Sequence, residues 1–108
     1  MTFDIGALLV ITTVPDENLA VKISESLLQQ HLAACVHTLP KGTSRYRWQG
    51  RIETSAEITL LIKSAANRYP ELEADIKRLH PYDVPEIIAF PVDRGLSAYL
   101  NWITNETK

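Results

Sequence analysis

From Gly6 to Val14 the chain is an almost unbroken apolar and β-branched run, the pattern of a strand buried on both faces of a sheet. The period changes at Pro15-Asp16-Glu17. Proline suits a first helical turn, and the two carboxylates favour the positive end of a helix dipole. Leu19, Ala20, Ile23, Leu27 and Leu28 then recur at helical spacing, with Lys22, Glu25 and Gln29 on the solvent side. This helix is expected to end near Gln30 or His31. Ala33 to Leu39 reads as a second short strand, and Pro40-Lys41-Gly42 bends the chain before it extends again.

Thr43 to Lys63 reads as two strands folded back at Gln49-Gly50, where glycine supplies the positive φ of a tight hairpin turn. A two-residue loop there pairs Trp48 with Arg51, Tyr46 with Glu53 and Ser44 with Ser55. The period of two puts Tyr46 and Trp48 on one face and Arg45 and Arg47 on the other. Farther along, Ala56, Ile58, Leu60 and Ile62 share a face, opposite Glu57, Thr59, Leu61 and Lys63. Ser64 to Asn67 reads as a connector, with Asn67 as a helix cap. Tyr69, Leu72, Ile76 and Leu79 then form an amphipathic stripe. His80-Pro81 ends that helix, since a residue before proline avoids the helical region. A stiff loop, Pro81 to Pro85, leads into a strand from Glu86 to Val92. Leu96, Tyr99, Leu100 and Ile103 mark a short C-terminal helix, with Trp102 beside the stripe.

This order predicts one α+β domain over residues 1–108: a ferredoxin-like βαββαβ fold with a long hairpin between its second and third strands and a short C-terminal helix. Both main helices belong on one face of the sheet. The strand carrying Arg45 to Trp48 lies at an edge, and an open edge recruits other chains unless it is blunted or covered. Two large aromatics near such an edge favour an oligomer over a monomer.

Charge and composition narrow the function classes. A net charge of −2 offers no basic field for nucleic acid or anionic lipid. The one cysteine, Cys35, excludes an intrachain disulfide and suits a reducing compartment. Met1-Thr2-Phe3-Asp4-Ile5 lacks a basic segment before an apolar run, and no apolar stretch is long enough to span a bilayer. A cytoplasmic protein without membrane or nucleic-acid partners is expected.

Candidate chemistry is sparse. Cys35 and His37 share one side of a strand, yet two ligands do not make a metal site, and Cys35 sits in an apolar run that favours a buried structural thiol. His31 reads as a polar helix-end residue. His80 lies in a rigid loop with Tyr82 and Asp83, ahead of Glu86. Glu57 and Lys63 share a strand face but stand six residues apart, roughly 20 Å at ~3.3 Å per residue, so each needs another partner. No phosphate loop, nucleophile elbow or Cys-x-x-Cys pair occurs, and no enzyme is expected.

Several stretches together resemble the CutA divalent-cation-tolerance family. They are Leu32-Ala33-Ala34-Cys35-Val36, Ser44-x-Tyr46-x-Trp48-x-Gly50, Glu57 with Lys63, and His80-Pro81-Tyr82-x-x-Pro85-Glu86. Thr13-x-Pro15-Asp16 and Tyr99-Leu100-x-Trp102 agree, so the match spans nearly the whole chain. The resemblance implies a tight homotrimer, similar in architecture to the PII signalling proteins and linked to copper and other divalent cations. It also implies an inter-subunit pocket of Cys35, Tyr46, Trp48, Glu57, Lys63, His80, Tyr82 and Glu86, open to a small ligand or cation. The cysteine and the second histidine proposed as copper ligands in some members are here Thr12 and Leu79. Only His80 remains, so no cofactor is required and at most weak copper binding is expected there. A docking trimer that anchors partner proteins is the alternative. An acylphosphatase-like enzyme ranks last, because Thr12-Thr13-Val14-Pro15-Asp16 carries no cationic side chain for an anion.

Overall fold

The computed structural model describes residues 6–108; the N-terminal reading, on Met1 to Ile5, lies outside the described residues. The elements run β1 (Ala7–Val14), α1 (Glu17–Gln29), β2 (Cys35–Thr38), β3 (Gly42–Trp48), β4 (Arg51–Ala65), α2 (Tyr69–Leu79), β5 (Ile87–Pro91) and α3 (Ser97–Glu106). The sheet is ordered β2-β4-β1-β5, with β3 also paired to β4. β2 and β3 are thus one strand interrupted at Leu39 to Lys41, and both lie antiparallel to β4. With that interruption allowed for, the topology is the expected βαββαβ arrangement with a terminal helix.

The hairpin register is the expected one: Trp48 faces Arg51, Tyr46 faces Glu53 and Ser44 faces Ser55. Gln49 and Gly50 have φ of 49° and 77°, so both residues of the turn are left-handed, as the twist of a two-residue hairpin requires. β1 pairs with β4 only from Ile58 onward, leaving Arg51 to Glu57 bonded to β3 alone. The arm therefore projects from the body as a two-stranded ribbon, and the chain is elongated, 46 × 25 × 23 Å. A two-stranded ribbon is at best marginally stable unless something packs on it.

Val10 and Val14 of β1, Ile58, Leu60 and Ile62 of β4, Ala20, Ile23 and Leu27 of α1, and Leu72 and Ile76 of α2 form the core, each buried. Ile87 and Ala89 pack against it from β5. All of these strand residues point to the helix side. The opposite face carries Leu9 and Ile11, flanked by Leu61 on β4 and by Ile88 and Phe90 on β5. Ile88 is 44% exposed and Phe90 49%. β1 itself is buried or half-buried on both faces, as expected, but both main helices cover one side, and on the other the neighbouring Ile88 and Phe90 stay exposed. α3 packs against β1 and β4 through the buried Ile103.

Two helix starts differ from the sequence reading. Asp16, not Pro15, opens α1: its carboxylate accepts the Leu19 N–H at 2.8 Å, which leaves Pro15 outside the helix. Asn67 lies within a 3₁₀ turn, Ala66–Arg68, and caps nothing; Pro70 occupies the first turn of α2 instead. His80 is extended and ends α2, as Pro81 requires.

Asp75 ties the two main helices together. Its carboxylate accepts Ser26 Oγ from α1 and Arg78 Nη2 from its own helix, both at 2.7 Å, while 7% exposed. Burial pushes this carboxyl up, but the Ser26, Arg78 and Gln30 hydrogen bonds and the Arg78 charge outweigh it and hold it below its ordinary value. Asp75→Asn is expected to cost about 1.5–3 kcal/mol at neutral pH, read from urea melts. A carboxyl depressed in the folded state contributes stability above its ordinary pKa and loses it as pH falls through the folded value. The gap between wild type and variant should therefore close in acid.

Candidate functional site

A cavity of about 570 Å³ lies between the hairpin arm and the loop after α2. Ser44, Arg45, Tyr46 and Trp48 of β3, Glu57 of β4, Thr13 of β1, and Tyr82, Asp83, Val84 and Glu86 of the loop line it. The loop is distant in sequence from the strands it meets, and one side chain fixes it there. His80, 7% exposed, donates Nε2–H to the Thr13 carbonyl at 2.7 Å and accepts the Tyr82 N–H on Nδ1 at 3.2 Å. This pairing sets the tautomer, since the ring must donate on one side and accept on the other. The His80 and Tyr82 rings pack with centroids 4.6 Å apart.

Glu57 is the polar centre of the cleft. Its Oε2 accepts the Tyr82 hydroxyl at 3.2 Å and the Thr13 hydroxyl at 3.5 Å. Burial, then the Glu57 charge and hydrogen bond, raise the Tyr82 phenol above its ordinary pKa, with smaller contributions from Tyr46 and Asp16. Tyr46 shares a 2.8 Å hydrogen bond with Ser55 across the hairpin, which orients its ring along the cleft wall. Tyr46, Trp48 and Tyr82 remain 42%, 43% and 37% exposed.

Of the eight residues singled out in the sequence, Tyr46, Trp48, Glu57, Tyr82 and Glu86 line this cleft and His80 stands behind it as its brace. Cys35 and Lys63 lie elsewhere. They face each other across β2 and β4, with Lys63 Nζ 3.9 Å from Cys35 Sγ, on the sheet face that carries no main helix. Cys35 is consequently half-buried rather than sealed in the core. Thr13, Ser44, Arg45, Asp83 and Val84 complete the lining. Thr13 could have been found from the strand register, because it pairs with Thr59, which shares a strand face with Glu57 two residues away. Asp83 and Val84 depend on how the loop folds back, which no periodicity encodes.

Metal chemistry finds little support in a single chain. Both His80 nitrogens are already engaged with backbone groups. Among the described residues no three His, Cys, Asp or Glu side chains converge as metal ligands, so the residues of one chain do not fit a high-affinity divalent-metal site. Thr12, where some family members have the thiol, is fully buried on the helix side of β1, and its Oγ1 has no hydrogen-bond partner. Among the described residues no helix is long and apolar enough to cross a membrane.

Residues 8–106 match the family profile of the CutA1 divalent ion tolerance protein. The divalent-cation tolerance protein CutA of Thermus thermophilus is 44% identical over 98 residues, covering 91% of this chain and 95% of that one. The mouse protein CutA is 38% identical over 96 residues, 89% of this chain but 54% of the mouse protein, so the likeness spans about half of that longer chain. A crystal structure of CutA from Xylella fastidiosa superposes with a TM-score of 0.93 at 47% identity, covering 95% of this chain and 99% of that one.

Proposed function

The chain belongs to the CutA1 divalent ion tolerance family, and on that premise we propose that it is a homotrimeric, non-catalytic module of divalent-cation tolerance that holds a small ligand at a subunit boundary. The observation that carries this reading is the uncovered side of the sheet. Leu9, Ile11, Leu61, Ile88 and Phe90 form an apolar face on a central strand and its neighbours, with neither main helix over it. Monomers rarely leave such a face in water. The projecting hairpin adds Tyr46 and Trp48 on one face and the 72% exposed Ile52 on the other, all left open by one chain. Copies packed face to face, each arm lying on a neighbour, would cover both at once. In that arrangement the cleft beside Trp48 comes to lie between subunits. The names of the relatives support the association with divalent cations.

The role in tolerance is read as ligand-linked rather than as tight metal storage. Titration of Cu(II) and Zn(II) into the native protein by calorimetry is expected to show only binding weaker than micromolar, since His80 has no free nitrogen and lacks companions. Submicromolar binding that disappears in His80→Ala would overturn this reading and assign the tolerance role to direct metal capture.

A further inference from the structure

We propose that the cleft between the hairpin arm and the His80–Glu86 loop is selective for a small organic cation, an amine or quaternary ammonium compound. This rests on the reading of the cleft as a ligand site and names the class of ligand. Three carboxylates, Glu57, Asp83 and Glu86, line the cavity, and none of them forms an ion pair among the described residues. Arg45, the one cationic residue of the lining, forms no ion pair with any of them among the described residues. Burial, and then the neighbouring Glu57 carboxylate, also raise the Tyr82 phenol.

The walls decide between an organic and an inorganic cation. Tyr46 and Trp48 rise from the arm and Tyr82 from the loop, so aromatic rings bound the space from two sides. Such rings attract a cation at their faces and favour one that sheds water easily. A bare divalent ion instead demands several converging oxygen or nitrogen ligands, and Glu57 Oε2 is already shared by two hydroxyls. About 570 Å³ lies within the size range of small-molecule sites. An alkylammonium group seated among the rings, its charge facing Glu57, Asp83 and Glu86, uses every chemical feature of the cavity.

The test uses the folded 108-residue chain carrying Trp102→Phe, which leaves Trp48 as its one tryptophan. Choline and its neutral carbon isostere, 3,3-dimethylbutan-1-ol, are titrated separately by calorimetry and by tryptophan emission. Choline is expected to bind and to perturb Trp48, with the isostere about tenfold weaker or more, as the loss of a cation–π and charge contact implies. Asp83→Asn with Glu86→Gln should weaken choline about tenfold and leave the isostere unchanged. Equal binding of both probes would overturn the cation preference while leaving the cleft a ligand site. Binding of choline without any change at Trp48, or unaffected by the carboxylate variants, would overturn the assignment to this cleft. Failure of both probes, together with silence towards acetate and phosphate, would sink the ligand-site reading as well.

Discussion

Trp48→Ala is expected to be the most damaging single change on the surface of this chain. In one chain Trp48 is 43% exposed at the end of a ribbon that β1 does not support, so its removal from an isolated subunit would cost little. In the proposed trimer the indole would be buried against a neighbour, and truncating a buried aromatic costs about 3–5 kcal/mol for each subunit. Size-exclusion chromatography with light scattering at micromolar concentration should show the variant dissociating, or unfolding at markedly lower guanidinium than wild type. Trp48→Phe should fall between the two, and Trp102→Phe should behave as wild type. A Trp48→Ala protein with unchanged mass and an unchanged guanidinium midpoint would mean that the arm does not contact another subunit.

The second large effect is expected at His80. Its ring joins the end of β1 to the loop after α2 through two backbone hydrogen bonds, at 2.7 and 3.2 Å. Alanine removes a buried ring and strands both the Thr13 carbonyl and the Tyr82 N–H. The expected loss is about 2–4 kcal/mol at fixed protein concentration, combining a cavity with unsatisfied polar groups. Hydrogen exchange should rise selectively at residues 81–86, because the brace that holds them is gone. Wild-type stability with unaltered exchange would show that proline stiffness and the Tyr82–Glu57 hydrogen bond order the loop without the ring.

The frame of this fold was legible in the sequence because its signals are local. Gln49-Gly50 between β-rich arms fixes both the turn and the register, and the stripes on α1 and α2 mark one covered face. Asp16 and Pro15 compete for the helix start, and only the carboxylate can bind the free Leu19 N–H. An apolar strand announces that both its faces want cover but not what supplies it. Hence β1 is covered or half-covered on both faces, while Cys35, read as sealed, is half-buried and Ile88 and Phe90 beside β1 stay exposed in a single chain.

The site was legible by residue type more than by place. Glu57 and Lys63 are separated by the strand rise itself, and Lys63 accordingly pairs with Cys35 rather than with the cleft. Tyr46, Trp48 and Tyr82 stand out as aromatics in polar surroundings. That they meet, however, follows from the loop folding back on β1 through His80, a contact between residues 67 positions apart. A histidine beside a carboxylate and tyrosines suggests a ligand or a catalyst until its partners are seen. Here they are main-chain atoms, and the residue is a brace.

The central claim is that one chain is an incomplete unit whose partly uncovered sheet face and projecting arm are covered by other copies. Sedimentation equilibrium of the native protein at micromolar concentration tests it most directly. The account predicts a single species of three times the 12.2 kDa chain mass, and a stable monomer at that concentration would contradict it.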